Sequence, residues 1–299
     1  MALATAADDR QHAADTTITA RRPALTHITW IASYPKSGNT WLRVFLANYL
    51  DGGEAPVAIN DLPGLSHGEM AAGLFGQIAG KPVAALDGEA VQRLRPVVHR
   101  AIAGLRRDPN LVKTHNALVS LFGVPIVTPA VTRNAVYVLR NPLDVAISYA
   151  DHFGVSLDQA IAALARADNR TKTTEKLVFQ FLADWSTHVK SWLQAPGLPL
   201  HTVRYEDMLE EPHETFGAAV RFLGLPLDTA RLERAIRHSA FSELRAQESA
   251  SGFHERSAES DAFFREGRAG QWRDKLAPAQ VDAIVEAHGE VMARHGYLP

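Results

Sequence analysis

Short apolar runs alternate along this chain with longer stretches in which apolar residues recur every three or four positions. The first pattern is typical of strands buried on both faces, and the second is typical of amphipathic helices. The clearest apolar run covers residues 135–142. The predicted strands cover residues 27–33, 110–115, 135–142 and 198–205. The predicted helices cover residues 39–50, 87–105, 142–152, 157–164, 176–193, 214–223, 229–238, 241–246 and 279–295.

Other parts of the chain lack this periodicity. Residues 1–26 are rich in Ala, Thr, Asp and Arg, which predicts a mobile N-terminal tail. Residues 54–84 hold many glycines and prolines, which predicts loops and irregular helical pieces, and polar residues 248–261 predict a mobile loop. Across residues 27–299 the alternation of strands and helices predicts one α/β domain with three layers, in which helices flank a mostly parallel central sheet.

Charged or polar side chains follow three of the predicted strands directly. They are Lys36, His115 and Arg140. In open α/β sheets the ligand lies at the carboxyl ends of the strands. The three side chains are therefore expected to point at one site.

The loop between the first strand and the first helix has the composition of an anion-binding loop. It runs Tyr34-Pro35-Lys36-Ser37-Gly38-Asn39-Thr40-Trp41. The unpaired N–H groups and the dipole of a helix N-terminus favour an anion, and glycine lets the backbone approach it. The loop is not a Walker A sequence, because its lysine precedes Ser-Gly and Ser33 stands where that motif begins with glycine. A phosphate or sulfate group is the expected ligand, although an ordinary strand–helix corner would share parts of this pattern.

Composition excludes several classes of protein. The formal net charge of -2 argues against nucleic-acid binding through a wide basic face. The absence of cysteine excludes disulfides, thiolate catalysis and cysteine-bound metals. No His or carboxylate set has metal-ligand spacing, so no metal is expected. The first residues lack signal-peptide features and no run reaches the length of a membrane span, so a cytoplasmic protein without membrane partners is expected.

From about residue 28 to residue 297, several motifs together resemble those of the cytosolic-type sulfotransferases. The chain is similar to a bacterial member of that family. They are the 5′-phosphosulfate loop at 34–41, Lys113-Thr114-His115, Arg140-Asn141 with Asp144 and Ser148, Arg204-Tyr205-Glu206-Asp207, and the late motif at 263–273. Each string alone is weaker evidence than the ordered set. A P-loop-type nucleotide kinase is the alternative enzyme, and a catalytically silent nucleotide-binding protein of the same fold is the alternative outside catalysis.

The resemblance implies that 3′-phosphoadenosine 5′-phosphosulfate (PAPS) donates a sulfuryl group without a metal and that 3′,5′-bisphosphoadenosine (PAP) leaves. An acceptor hydroxyl or amine attacks in line. Lys36 is expected to stabilise the leaving oxygen, His115 to act as the general base, and Lys113 to stabilise charge on the transferring group. Residues 54–105, 153–175 and 245–262 are expected to form the acceptor pocket, and their Leu, Phe and Met side chains favour a small, partly apolar alcohol or phenol.

The resemblance also implies a set of cofactor contacts. A helix tryptophan such as Trp185 is expected to stack on adenine, although most such residues belong to the core. The expected contacts are Lys36, Ser37, Gly38, Asn39, Thr40, Trp41, Arg140, Ser148, Trp185, Ser239, Phe241, Phe263, Arg265, Glu266 and Gly267.

Three positions depart from the family pattern. Glu266 stands where the pattern has lysine, which removes a positive charge near the expected 3′-phosphate, and Ser186 replaces a tyrosine. The animal dimer motif is absent near the C-terminus, where Arg273, Ala277, Pro278 and Asp282 occupy its positions. The oligomeric state is therefore left open.

Overall fold

A five-stranded sheet lies at the centre of the computed structural model, which describes residues 27–105 and 109–299. The predicted tail at 1–26 falls outside these described residues. The strands are β1 (Ile28–Ser33), β2 (Ser66–Gly68), β3 (Leu111–Thr114), β4 (Ser120–Leu121), β5 (Val124–Pro125), β6 (Thr132–Leu139) and β7 (Leu200–Arg204). The sheet order is β2-β3-β1-β6-β7 with every neighbouring pair parallel, whereas β4 and β5 form a separate antiparallel pair.

Helices cover both faces of this sheet. They are α1 (Asn39–Asp51), α2 (Leu62–Leu65), α3 (Ala72–Ala79), α4 (Gly88–Gly104), α5 (Pro142–Phe153), α6 (Leu157–Leu164), α7 (Trp185–Leu193), α8 (Tyr205–Glu210), α9 (Pro212–Phe222), α10 (Thr229–His238), α11 (Phe241–Ser251), α12 (Trp272–Lys275) and α13 (Pro278–Arg294). Short 3₁₀ turns occupy Ile59–Asp61, Val83–Ala85 and Pro129–Val131. Within the described ranges, no helix combines the length and the apolar character that crossing a bilayer requires.

Alternate side chains of the central strands enter two separate cores. In β1, Trp30 belongs to the core under α4, α5, α7 and α13, while Ile31 belongs to the core under α1, α9 and α10. In β6, Tyr137 and Val138 divide in the same way. Strands buried on both faces produce the continuous apolar runs that the sequence shows. The predicted three-layer α/β fold is therefore confirmed.

One strand was hidden in the segment predicted to hold only loops and helical pieces. Residues Ser66–Gly68 form β2, the edge strand that pairs in parallel with β3. These three residues, two polar and one glycine, carry no alternation that could predict a strand. The prediction for 54–84 is wrong at this point because pairing with β3, rather than local pattern, defines β2.

The helix predicted at 176–193 is correct only from Trp185 onward. Asp184 caps α7 by accepting a hydrogen bond from the Thr187 N–H (2.8 Å), and Ala183 has a φ of 56°. Upstream, the Val178 N–H donates to the Met70 carbonyl (2.9 Å), which holds this stretch extended. Apolar composition alone could not separate the two conformations.

The predicted loop at 248–261 is wrong in its first part, because α11 extends to Ser251. The Glu248 carboxylate is buried and accepts hydrogen bonds from the N–H groups of Phe263 (2.7 Å) and Phe264 (2.8 Å). Phe253 and Phe264 pack in a third apolar cluster against Val44 of α1. The segment after α11 is thereby fixed beside the first helix.

Candidate active site

A cavity of about 720 Å³ opens at the carboxyl ends of the central strands. Lys36, His115 and Arg140 all line it, because β3, β1 and β6 are neighbours in the sheet. Of the expected site residues, the following line the cavity: Lys36, Gly38, Asn39, Thr40, Trp41, Lys113, His115, Arg140, Ser148, Phe241, Phe263, Arg265 and Glu266. A second cavity of about 830 Å³ lies at the opposite, amino-terminal edge and contains none of them.

The loop before α1 leaves polar atoms without partners. Gly38, at the N-cap of α1, has a φ of 101° and provides no side-chain cap, and a Cβ there would lie 2.7 Å from the Tyr205 ring. The Ser37 hydroxyl is buried and has no hydrogen-bond partner within the described part of the chain. Uncapped N–H groups and an unpartnered buried hydroxyl at one helix start fit an anionic ligand.

Arg140 joins this loop to the end of β6. Its guanidinium donates to the Lys36 carbonyl (3.0 Å) and the Arg268 carbonyl (3.4 Å), and it lies 4.0 Å from the centroid of the Tyr205 ring. The buried Arg140 Nε has no hydrogen-bond partner among the described residues. Tyr205 also lines the cavity; the predicted site set omitted it, although the Tyr-Glu-Asp string already marked the position.

The late motif is held over α5 by one carboxylate. Asp144 accepts hydrogen bonds from the N–H groups of Gly270 (2.7 Å) and Trp272 (3.0 Å). Upstream, Arg265 forms an ion pair with Asp151 of α5 (3.1 Å). Gly267 has a φ of 61°, and a Cβ there would collide with the Phe241 ring. Glycine is therefore required at position 267 for both conformation and close approach.

Lys36 lies at the middle of the cavity and has an unusual environment. It has a φ of 69°, which is uncommon for a residue other than glycine, and its Nζ lies 4.0 Å from the centroid of the Phe263 ring. Burial, followed by the positive charges of Lys113 and Arg140, lowers the pKa of Lys36 to about 7. A bound anion would restore the charged ammonium.

His152 is a second cavity histidine, which the sequence prediction missed. Its Nδ1 lies 3.5 Å from the Lys36 Nζ. Burial, then Lys36 and Lys113, lowers the pKa of His152 to about 3. Its spacing of four residues from Ser148 along α5 could have indicated that it shares a helix face with that predicted site residue.

His115 is oriented so that one ring nitrogen can accept a proton. Its Nδ1 lies 2.9 Å from the Ser33 carbonyl oxygen, which can only accept, so we assign the proton to Nδ1. Nε2 is then the basic nitrogen. Burial, then the charge of Lys113, holds the pKa of His115 well below its ordinary value, so the ring is neutral at pH 7. This is the state that a general base needs.

A carboxylate that the sequence did not identify neutralises Lys113. Glu255 accepts hydrogen bonds from the Lys113 Nζ (2.8 Å) and from Arg43 (2.9 Å), and Arg43 also donates to the Ser66 hydroxyl (2.8 Å). Burial alone would raise the pKa of Glu255, but Lys113 and Arg43 outweigh it and lower the pKa to about 2. No local signal marks Glu255, which lies far along the chain from both partners.

A buried polar network supports the strand end that carries His115. Glu69 is buried and accepts hydrogen bonds from Arg95 (2.5 Å), from the Thr114 hydroxyl (3.1 Å) and from the Asn116 amide. The His115 carbonyl accepts a further hydrogen bond from His188 Nε2 (3.1 Å). Buried polar groups that are fully paired fix one arrangement, so this network holds the backbone on either side of His115.

Two expected adenosine contacts do not reach the cavity. Trp185 is fully buried in the core, with its ring 5.6 Å from that of His288, so the predicted adenine stacking is wrong. Ser239 is also fully buried: its hydroxyl donates to the Ala235 carbonyl (2.7 Å), and its own carbonyl accepts from the Trp41 indole (2.8 Å). Trp41 and Phe241 instead present aromatic surface to the cavity.

The departures from the family pattern have local partners. The Glu266 carboxylate accepts hydrogen bonds from Lys275 and from Arg268 (2.9 Å), so a lysine from α12 supplies positive charge beside it. Ser186 forms a hydrogen bond with His288 (2.9 Å). In the part of the chain that the structure describes, no group of three or more His, Cys, Asp or Glu residues could hold a metal ion.

Comparison with known proteins gives consistent results. Residues 27–296 match the sulfotransferase domain family. The chain is 25% identical to rat sulfotransferase 1 family member D1 over 88% of this chain and 82% of the relative. It is 27% identical to dog sulfotransferase 1B1 over 84% of this chain and 78% of the relative.

Solved structures share the fold. Mouse sulfotransferase SULT7A1, crystallised with PAP, superposes with a TM-score of 0.56 at 19% identity over 89% of this chain and 85% of that structure. Retinol dehydratase, crystallised with androsterone and inactive cofactor PAP, gives a TM-score of 0.59 at 18% identity over 88% and 80% of the two chains.

Proposed function

The chain belongs to the sulfotransferase family, and from this premise we propose that it transfers the sulfuryl group of PAPS to a hydroxyl or amine of a small, partly apolar acceptor. The observation that supports this most directly is the meeting of two features in one cavity. One is the anion loop, with Ser37 and Arg140 atoms that lack partners among the described residues. The other is the neutral His115, whose ring hydrogen bonds with the described residues use Nδ1 and leave Nε2 available.

The sheet order divides the cavity into two sides. The cofactor side lies over β1, β6 and β7, where the anion loop, Arg140 and Tyr205 are found. The acceptor side lies over β3 and β2, where Lys113, His115, Ser66 and Gly68 are found. Lys36 follows β1, the cofactor-side strand that pairs with β3 of the acceptor side, so the transferring group would lie beside it.

Each group has a chemical task in this arrangement. PAPS supplies a sulfuryl group attached to its 5′-phosphate. The Nε2 of His115 removes the acceptor proton, while the Nδ1 proton stays directed at the Ser33 carbonyl. The Lys36 ammonium stabilises negative charge that develops on the leaving phosphate oxygen. Arg140, Ser148, Arg265 and the amide of Gly267 bind the 3′-phosphate, and Trp41 and Phe241 enclose the adenine.

Calorimetry with nucleotides tests the cofactor assignment. PAP should bind without magnesium, and AMP should bind at least about tenfold more weakly, because each lost hydrogen bond to a charged phosphate costs about 1.5–3 kcal/mol. Arg265→Gln should reduce this preference, whereas Arg245→Gln, exposed and outside the cavity lining, should not. Equal affinity for PAP and AMP, or tighter binding of Mg-ATP, would contradict the proposal.

The pH dependence of a single turnover tests the role of Lys113. Because the pKa of His115 lies below its ordinary value of about 6.5, the rate should fall only below that pH as His115 becomes protonated. Lys113→Met removes a positive charge that lowers this pKa and leaves Glu255 paired with Arg43 alone, so the acidic limb should move to higher pH. Lys81→Met, which changes an exposed lysine outside the cavity, should leave the limb in place. If Lys113→Met leaves the acidic limb of the pH–rate profile in place, the ionisation that causes this limb belongs to a group other than His115.

A further inference from the structure

Residues 170–181, called here the lysine hairpin, fold back on themselves beside the acceptor side of the cavity. The Thr171 N–H donates to the Gln180 carbonyl (2.9 Å), and the Thr174 N–H donates to the Leu177 carbonyl (2.8 Å). Lys172 lies in the first arm and Lys176 in the turn, and both line the cavity. The hairpin attaches to the chain just after β2, where the Ala72 N–H donates to the Lys176 carbonyl (2.9 Å).

The positive charges in this region lack carboxylate partners. Lys172 and Lys176 are exposed, and neither forms an ion pair with any residue in the described ranges. Arg256 donates to the carbonyls of Ser260 (3.2 Å) and Asp261 (2.7 Å) rather than to a carboxylate. Of the described residues that line the acceptor side, only Glu255 contributes a carboxylate, and Lys113 and Arg43 share it. The excess of positive charge is confined to this region, because the formal net charge of the whole chain is -2.

The cofactor does not account for these lysines. The phosphate-binding groups follow β1 and β6, whereas the lysine hairpin is bonded to residues that follow β2 and β3, namely Ala72 at its turn and Ala117 at its base. We propose that Lys172 and Lys176 bind an anionic group, a phosphate or a carboxylate, on the acceptor itself. This inference rests on the proposed function, because it assigns part of the same cavity to the molecule that receives the sulfuryl group.

The distance along the chain sets the size of such an acceptor. Gly68 pairs with Lys113 in the sheet, and Ala72 is bonded to Lys176. The four residues from Gly68 to Ala72 span at most about 14 Å. A small molecule can therefore place its nucleophile at His115 and its anionic group at the lysine hairpin. Met70, Leu177 and Val178 line the space between and suit a carbon skeleton.

Lysine ammonium groups are flexible point charges, which suits a phosphate or carboxylate without demanding one geometry. Because Lys172 and Lys176 are exposed, each is expected to contribute less to binding the anionic group than a buried ion pair would. Salt should weaken this contribution further. An acceptor whose ammonium group binds Glu255 is the alternative. In that case cationic acceptors, rather than anionic ones, should be preferred. Phenols that carry a neutral, an anionic or a cationic group at the same distance from the phenol hydroxyl separate the two.

Four 4-ethylphenol derivatives with a free phenol hydroxyl provide this comparison. They are 2-(4-hydroxyphenyl)ethanol, the phosphate monoester of its alkyl hydroxyl, 3-(4-hydroxyphenyl)propanoate and 4-(2-aminoethyl)phenol. With the full-length protein and PAPS at low salt, kcat/KM for the phosphate and the carboxylate should exceed that for the neutral alcohol by about tenfold, and the amine should be the poorest. The advantage should shrink as ionic strength rises. A neutral or cationic acceptor used as well as the anionic ones would overturn the proposal.

The double variant Lys172→Gln/Lys176→Gln tests the residues themselves. The ratio of kcat/KM for the phosphate to that for the alcohol should fall from about ten to near one. The control Lys81→Gln/Arg100→Gln removes the same charge at exposed positions outside the cavity and should keep the wild-type ratio. An unchanged ratio in the first double variant would refute the assignment.

Binding measurements separate failure of this inference from failure of the proposed function. If PAP binds and any acceptor is sulfated without an anionic preference, the function stands and the inference fails. If PAP binds but no acceptor is sulfated, calorimetry of the phosphate and the alcohol on the PAP complex decides: preferential binding of the phosphate, lost in the lysine double variant, supports the inference, and its absence refutes it. If PAP does not bind and nothing is sulfated, both fail.

Discussion

Replacing His115 with alanine should lower the single-turnover rate of sulfuryl transfer by a factor of about 10² to 10⁴, the usual contribution of general-base catalysis. PAP affinity should hardly change, because in the proposed arrangement the anion loop and Arg140 hold the cofactor, whereas His115 lies on the acceptor side of the cavity. The reason for the large effect is geometric: Nδ1 is committed to the Ser33 carbonyl, so Nε2 alone is available to take the acceptor proton. Calorimetry and quenched single-turnover assays measure the two quantities.

Two other histidines serve as comparisons for this experiment. His213 is exposed on α9 outside the cavity, and His213→Ala should retain the wild-type rate. His152 lies in the cavity, with its Nδ1 3.5 Å from the Lys36 Nζ. The variant His152→Ala therefore tests whether this histidine, rather than His115, takes the acceptor proton. If His115→Ala keeps more than about a tenth of the wild-type rate while chemistry is rate-limiting, another base acts or the acceptor is already ionised.

Lys36→Ala should lower the transfer rate by about 10² to 10³, a loss typical of removing one group that stabilises developing negative charge. It should also weaken PAP binding, in contrast to His115→Ala, because the proposed role of Lys36 places its ammonium beside the same phosphate in the product complex. The transfer rate of Lys81→Ala, an exposed control, should stay at the wild-type value.

The pKa of Lys36 gives this prediction a second measurement. At about 7 in the free protein, the ammonium is largely deprotonated at pH 8. A bound phosphate favours the charged form, so PAP binding at pH 8 should take up close to one proton, and affinity should fall as pH rises above 7. Calorimetry in buffers of different ionisation enthalpy detects this uptake. Uptake that persists in Lys36→Ala would place the ionisation elsewhere.

The sequence predicts those parts of the site that depend on neighbours along the chain. The anion loop lies within one strand–helix corner, and β1 and β6 are long apolar runs, so Lys36 and Arg140 could be placed at strand ends. The prediction for His115 needed only the strand before it and the rule that parallel strand ends converge.

The parts that could not be predicted depend on long-range contacts. Glu255 contacts Lys113 and Arg43, which are 142 and 212 residues away, and no pattern links them. β2 exists because β3 provides a partner. The resemblance implies that Trp185 stacks on adenine, but its helix packs between the sheet and α13, a placement that tertiary packing decides. The lysine hairpin could not be predicted either. The apolar residues around Lys172 and Lys176 favour an apolar pocket and a helix, and only the folded chain brings the two lysines together at the cavity.

The segment that follows α11 contacts both sides of the cavity between Glu255 and Gly267. Glu255 bonds to Lys113 on the acceptor side, whereas Arg265 and Gly267 belong to the cofactor side. Because the segment touches both sides, a shift at one side is transmitted to the other, so we expect the binding of PAP and of the acceptor to be coupled. Any such coupling is reciprocal: the factor by which the acceptor changes PAP affinity equals the factor by which PAP changes acceptor affinity.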